Sequence, residues 1–230
     1  MNEQLPLGLQ LRASARFANF VSAGQTELLG QLQRMAAGGP PYQLYCWGAA
    51  GCGKTHLLQA CCRNADDAGR SAAYLPLRDH TQLSPEVLHA WESFQLVCLD
   101  DIDAVAGDED WEEALFHFYN RLVDSANQLL VSAAVAPSGL AIRLPDLASR
   151  LGAGLVYQLH ALNDEQRLDA MRMRARERGI ELPEETGRYL LRHMPRDLSV
   201  LLTLLDRLDT ASLAAQRKLT VPFVKSVLEL

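Results

Sequence analysis

The chain is 230 residues long and 48% hydrophobic, enough to bury a sizeable core as one domain or as one domain with a small cap. Its formal net charge is −6; residues 1–161 carry 10 basic and 17 acidic side chains and residues 162–230 carry 12 and 11, so neither part is a basic module that holds nucleic acid by charge. No stretch approaches the ~20 apolar residues of a membrane span and nothing resembles a secretory leader, so the expected location is the cytoplasm, with no membrane partner.

Residues 1–12 form a short tail without helical period. After Phe17 a loop leads into an amphipathic helix ending near Met35, with Leu28, Leu29 and Leu32 on one face. Gly38, Gly39, Pro40 and Pro41 break the chain, and residues 42–47 read as a buried strand. A helix over 54–65 follows, then a strand at 72–77 and a helix from Pro85 to about Ser93. The unbroken apolar run at 95–100 suits a third strand that is parallel and covered on both faces. A long helix occupies roughly 110–125, and residues 128–134 and 154–159 read as the fourth and fifth strands. Strand and helix alternate throughout, which means an α/β layer on a parallel sheet.

Beyond residue 162 the pattern is wholly helical. Asn163 caps a helix that Gly179 ends, and Pro183 starts a second that runs to about His193. A third runs from near Pro195 to about Gln216, with Leu201, Leu204, Leu205 and Leu208 as its apolar face. Thr220 and Pro222 open a last short helix.

Between the first strand and the next helix stands Gly48-Ala49-Ala50-Gly51-Cys52-Gly53-Lys54-Thr55, a complete G-x-x-x-x-G-K-[ST] phosphate-binding loop. Its glycines let backbone N–H groups close around a β-phosphate at the positive end of a helix dipole. Lys54 can reach the β- and γ-phosphates, and the Thr55 hydroxyl can ligate Mg²⁺. His56, directly after the loop, either borders the nucleotide or packs locally. Among the five cysteines none has zinc-ligand spacing, so reduced thiols in core packing are expected. Cys52 is the exception, being inside the loop and open to alkylation or oxidation.

Four apolar residues precede Asp100 and Asp101 at the end of the third strand. A carboxylate projecting from a strand end beside the loop suits Asp100 for orienting Mg²⁺ through its water shell. Asp101 then stands where a water-activating carboxylate would stand. The other reading is an acidic turn, since Asp103 and residues 108–110 add further acid. The acidic run 108–113 reads as a helix start that complements the dipole.

Together, residues 96–101, the Arg16-Phe17-Ala18-Asn19-Phe20-Val21 segment and Leu147-Ala148-Ser149-Arg150-Leu151 resemble the AAA+ ATPase core of DnaA-type replication initiators. Within that group the chain is most similar to the DnaA-inactivator (Hda) family. The segments that carry this likeness are residues 144–151, Arg174-Ala175-Arg176 and residues 216–225, and it extends over essentially the whole chain. The resemblance implies an AAA+ P-loop αβα sandwich with a five-stranded parallel sheet, residues 13–161, and a C-terminal all-helical lid, residues 162–230. It also implies an adenine nucleotide, ADP or ATP with Mg, between the two.

The resemblance assigns further roles. Arg150 matches the arginine finger directed at a nucleotide on a neighbouring subunit, a task that suits an always-charged guanidinium. Otherwise Arg150 is a surface arginine paired with Asp146. Arg196, expected at the start of the third lid helix, matches the second sensor arginine, which touches the chain's own nucleotide; otherwise it is a solvated helix-end arginine. In the tail, Gln4, Leu5, Leu7 and Leu9 match a peptide that docks on the DNA polymerase III sliding clamp (its beta subunit). There the glutamine offers polar pairing and the leucines an apolar anchor. The leucine-rich run from Leu5 to Leu11 also gives copies of the chain a means of self-association.

The implied function is regulatory inactivation of DnaA. The nucleotide-bound protein docks on the DNA-loaded clamp, meeting DNA indirectly, and stimulates hydrolysis of DnaA-bound ATP through Arg150. Two departures suggest that its own hydrolysis is weak or absent. The fourth strand ends Val131-Ser132-Ala133-Ala134-Val135 without an Asn or Asp for the first sensor, and Asp101 is one methylene shorter than Glu. An autonomous AAA+ ATPase such as a helicase loader is the alternative, distinguished by its own turnover. A DNA-binding initiator would need a basic helix-turn-helix beyond the lid, and the sequence ends at Leu230.

Overall fold

A computed structural model of the chain describes Leu11 and residues 14–229. It divides into two compact units, Met1–His160 and Ala161–Leu230.

The first unit is built on five strands: β1 (Gln43–Trp47), β2 (Ala72–Pro76), β3 (Leu96–Asp100), β4 (Gln128–Ala133) and β5 (Leu155–Gln158). All pairings are parallel, in the order β2-β3-β4-β1-β5. Alternate residues of each strand face opposite sides, so one sheet supplies two cores. Leu44, Cys46, Leu96, Cys98 and Leu130 pack under α1 (Thr26–Ala36) and α2 (Lys54–Asp67). Tyr45, Val97, Leu99, Leu129, Val131 and Ala133 pack under α3 (Glu109–Asp124) and α4 (Pro145–Leu151). The result is the expected αβα sandwich.

Local chemistry sets the helix limits. In α1 the period puts Leu28, Leu32 and Met35 in the core, each worth about 1.5–3 kcal/mol when fully buried. The Asp108 side chain accepts from the Trp111 N–H to cap α3, and Glu109, Asp110 and Glu112 fill the first turn against the dipole. The helix expected over 85–93 is instead two short 3₁₀ turns, Pro85–Leu88 and Trp91–Ser93, separated at Ala90, whose φ of 66° cannot continue a helix. Conversely α4 forms where no separate helix was anticipated, seven residues opened by Pro145 at its first position.

The second unit packs α5 (Asp164–Glu177), α6 (Glu184–His193), α7 (Leu198–Ala215) and α8 (Val221–Leu228) around Met171, Leu190, Leu201, Leu205, Leu208 and Val224. Asn163 and Gln166 form a reciprocal capping box on α5. The third helix of this unit starts later than the sequence suggested. Asp197 accepts from the Ser199 N–H and caps α7 at Leu198, which leaves Arg196 ahead of the helix. Among the described residues no helix is long and apolar enough to cross a membrane.

Candidate functional site

The carboxyl ends of β1, β3 and β4 lie side by side in the sheet, where a doubly wound fold collects its ligands. From β1 the chain turns through Gly48 to Gly53 into α2. Gly53 is the N-cap, with φ at 99°, and α2 has no side-chain cap. The first backbone N–H groups of a 14-residue helix therefore have no side-chain partner at the cap, which is the arrangement an anionic phosphate satisfies. Two close approaches explain the glycines. A Cβ at Gly53 would stand 2.7 Å from the Phe20 ring, and one at Gly48 would overlap the Leu159 carbonyl oxygen. Gly51, at φ 76°, is exposed on the crest of the loop.

Lys54 is buried, and its Nζ donates to the Gly48 carbonyl at 2.8 Å, so the ammonium sits inside the curl of the loop. Thr55 follows it, half-buried, in the first turn of α2. His56 packs locally beside the loop: its Nε2 lies 2.9 Å from the Arg16 carbonyl and its ring packs against Phe20, the ring that also lies close to Gly53. Cys52 is 3% exposed, and burial pushes its thiol up from the ordinary value, so the exposure to alkylation expected from its position in the motif is absent. All five cysteines are free and buried.

Asp100 is buried at the end of β3, with both carboxylate oxygens engaged. The Tyr74 hydroxyl donates to Oδ2 at 2.7 Å, and the Ser132 hydroxyl donates to Oδ1. Ser132 in turn accepts from the Asp101 N–H at 2.9 Å. The fourth strand thus carries a serine in place of an Asn or Asp, and that serine bridges the two acids. Asp101 has a left-handed backbone, φ 55°, and an ion pair with Arg78 at 2.5 Å. Burial and neighbouring Asp100 push its carboxyl up, while the Arg78 and Lys54 cations pull it down. Lys54 and Asp100 thus both act on the charge of Asp101. Among the described residues no group of three or more His, Cys, Asp or Glu side chains could hold a metal by themselves. A Mg²⁺ held through phosphate and water needs only Thr55 and one carboxylate, and Asp100 retains lone pairs for that.

Arg150 occupies the last turn of α4, on the opposite side of the sheet from α2. It is half-buried, and among the described residues it has no carboxylate partner, so the pairing with Asp146 does not form. Its guanidinium lies over the Phe116 ring at 4.6 Å and the Tyr119 ring at 5.4 Å, and donates to Asn120 Oδ1. These three residues share one face of α3 at positions i, i+3 and i+4. The N-terminal end of α4 is anchored by Glu112, a buried carboxylate that accepts from the N–H groups of Gly107, Arg143 and Leu144. Arg196 belongs to the second unit, where its exposed guanidinium pairs weakly with Asp164 at 3.6 Å. Gln4, Leu5, Leu7 and Leu9 lie outside the described residues.

Several residues of this arrangement escaped the sequence reading: Tyr74, Ser132, Glu112 and the Phe116, Tyr119 and Asn120 face. The spacing of the last three was visible, but its partner helix was not.

Comparison with known proteins adds two family matches that together cover nearly the whole chain. Residues 11–158 match the bacterial DnaA ATPase domain, and residues 164–228 match the Hda lid domain. Among solved structures, domain III of the Thermotoga maritima replication initiation protein DnaA aligns over 96% of this chain and 98% of its own, at 22% identity and a TM-score of 0.78. AMPPCP-bound DnaA from Aquifex aeolicus aligns over 85% of this chain and 66% of its own, at 24% identity and a TM-score of 0.71. The T. maritima RuvB Holliday junction branch migration motor aligns over 90% and 68%, at 14% identity and a TM-score of 0.67. At these identities the likeness to the solved structures is one of fold.

Proposed function

The chain belongs to the Hda family of DnaA-related AAA+ proteins, and we propose that it inactivates the initiator DnaA by stimulating hydrolysis of DnaA-bound ATP. The observation that carries this reading is the state of Arg150. A cationic side chain without a carboxylate partner among the described residues, braced by two aromatic rings and an amide, is prepared for an anion that this unit does not supply. A finger of this kind accelerates phosphoryl transfer by ~10³–10⁵, about 4–7 kcal/mol of transition-state stabilisation.

The resident ligand in this reading is an adenine nucleotide, in keeping with the AMPPCP bound to the A. aeolicus DnaA. ADP is the form expected here, with ATP as the alternative. Backbone N–H groups from Gly48 to Thr55 and the ammonium of Lys54 would hold its phosphates, and Thr55 with Asp100 would hold Mg²⁺. When bound, the nucleotide supplies the negative charge around which this loop is ordered. The chain's own residues are poorly disposed to hydrolyse it: Asp101 is engaged by Arg78, and Ser132 uses its hydroxyl on Asp100 and the Asp101 N–H. That engagement supports a nucleotide kept as a structural ligand. Residues 4–9 would dock the protein on the DNA-loaded sliding clamp, delivering Arg150 to DnaA after replication has begun.

The test is hydrolysis of ATP pre-bound to purified DnaA, with this protein, DNA-loaded clamp and ADP. Wild type should stimulate it, and Arg150→Ala should lose the stimulation while retaining clamp binding. Equal stimulation by both removes Arg150 from the mechanism. Absence of stimulation together with steady ATP turnover by the chain alone replaces this reading with that of an autonomous ATPase.

A further inference from the structure

The C-terminal end of α4 raises a question that the finger reading leaves open. A seven-residue helix has almost no internal stiffness, and its last carbonyls are met from outside the helix, that of Arg150 by the Ala153 N–H at 3.1 Å. The Gln43 side chain, at the start of β1, meets them. Its Nε2 donates to the Arg150 carbonyl at 2.7 Å and to the Leu151 carbonyl at 3.2 Å. Its Oε1 accepts from the Tyr119 hydroxyl at 2.7 Å. Tyr119 also places its ring beneath the Arg150 guanidinium. The contacts therefore close a circuit: Tyr119 ring, Arg150 guanidinium, Arg150 carbonyl, Gln43 amide, Tyr119 hydroxyl.

Two further features favour a constrained amide over an incidental one. The two carbonyls can only accept, so the NH₂ of Gln43 must face them and its oxygen must face Tyr119, which leaves one orientation. The chain leaving α4 also closes over this residue. A Cβ at Gly154 would stand 2.6 Å from the Gln43 carbonyl oxygen and 2.8 Å from its Cγ. Burial pushes the Tyr119 hydroxyl up from its ordinary value, so it remains a donor at neutral pH.

We propose that Gln43 is a positioning residue for Arg150, fixing the end of α4 against Tyr119 so that the guanidinium is presented in one geometry. The proposal rests on the trans-acting reading for its consequence in rate. An error of about 1 Å in a catalytic group can cost on the order of 10²-fold, so a small release at the root of the side chain has a large effect at its tip.

The experiment compares wild type, Gln43→Met, Tyr119→Phe, Arg150→Ala and the Gln43→Met/Arg150→Ala double variant, all as the full chain with bound ADP. Methionine keeps the length and apolar bulk of glutamine and removes both donors. Gln43→Met is expected to lower the maximal stimulated hydrolysis of DnaA-bound ATP by about tenfold or more. The concentration giving half-maximal stimulation should change little, and the melting temperature should fall by a few degrees for the three lost hydrogen bonds. In the Arg150→Ala background Gln43→Met should have no further effect on rate, because the group it positions is gone. Tyr119→Phe should fall between wild type and Gln43→Met, since it keeps the ring and loses only the hydroxyl.

A second readout needs no partner. The Arg150 side-chain Nε–H resonance, assigned by its loss in Arg150→Ala, should be shifted by the two aromatic rings and should move toward the free-arginine position in Gln43→Met. Full stimulation by Gln43→Met with an unmoved resonance overturns the proposal, as does an equal loss of rate in both backgrounds. If wild type fails to stimulate, the trans-acting reading fails, while the resonance still decides whether Gln43 sets the guanidinium.

Discussion

Replacing Glu112 by alanine tests whether the loop before α4 is anchored as the structure indicates. The Glu112 carboxylate is 2% exposed and accepts from the Gly107 N–H at 2.7 Å, the Arg143 N–H at 2.9 Å and the Leu144 N–H at 2.8 Å. These are charge-assisted bonds to backbone donors, each stronger than a neutral one. Removal leaves three donors without their acceptor, at about 1–3 kcal/mol for each that stays dry. Arg143 is exposed and its N–H can recover water, whereas Gly107 and Leu144 are only half-exposed, so the expected loss is about 3–5 kcal/mol. The three tryptophans, Trp47, Trp91 and Trp111, all lie in the first unit, so urea unfolding followed by tryptophan fluorescence reports on that unit alone. With a urea slope near 2 kcal/mol/M, the midpoint should fall by about 1.5–2.5 M. Glu112→Gln keeps one acceptor and turns an NH₂ toward the donors, so it should fall part of the way. A drop of less than about 0.5 M for the alanine variant would refute the reasoning, because the loop would then be rehydrated at little cost.

Two other consequences can be measured directly. Burial pushes the thiols of Cys46 and Cys98 far above their ordinary value, so the folded state keeps protons that the unfolded state releases above a pKa of about 8.5. Stability is then fully present below that pH and lost as pH rises, by up to ~1.4 kcal/mol per pH unit for each thiol. Urea midpoints at pH 8, 9 and 10 should fall accordingly, and Cys98→Ala should make the fall shallower; a flat profile contradicts the linkage. Gly53→Ala forces a left-handed backbone on alanine and drives its Cβ toward Phe20, so ADP affinity measured by calorimetry should drop at least about tenfold. Gly30, inside α1 with nothing near its Cβ, is the control: Gly30→Ala should leave ADP binding intact and stabilise the helix by about 0.5–1 kcal/mol.

Much of this protein could be read from local pattern. The five parallel strands and the αβα class follow from short apolar runs alternating with helical periods, because burial on both faces of a parallel strand leaves no polar alternation. The phosphate loop was legible because its chemistry is contiguous: the turn, the lysine and the helix start are neighbours in the chain. The Asn163 cap and the acidic start of α3 were legible for the same reason, while the capping role of Asp108 was not. Where local signals compete, the reading failed. Pro85 suggested a helix that Ala90 interrupts, and Pro195 drew the start of α7 three residues too early because Asp197 is the better cap. What only the tertiary structure decided is how distant side chains satisfy one another. Nothing in the sequence near Arg150 tells that it leaves Asp146 for Phe116, Tyr119 and Asn120, since that exchange depends on α3 and α4 packing on the same face of the sheet. Ser132 looked like a missing sensor until strand order set β4 beside β3 and brought its hydroxyl between Asp100 and Asp101. The hydrogen bonds from Gln43 to the end of α4 span 107 and 108 residues of chain, a separation across which neither period nor propensity carries information. Buried polar groups must find partners wherever the fold puts them, and only the completed fold names those partners.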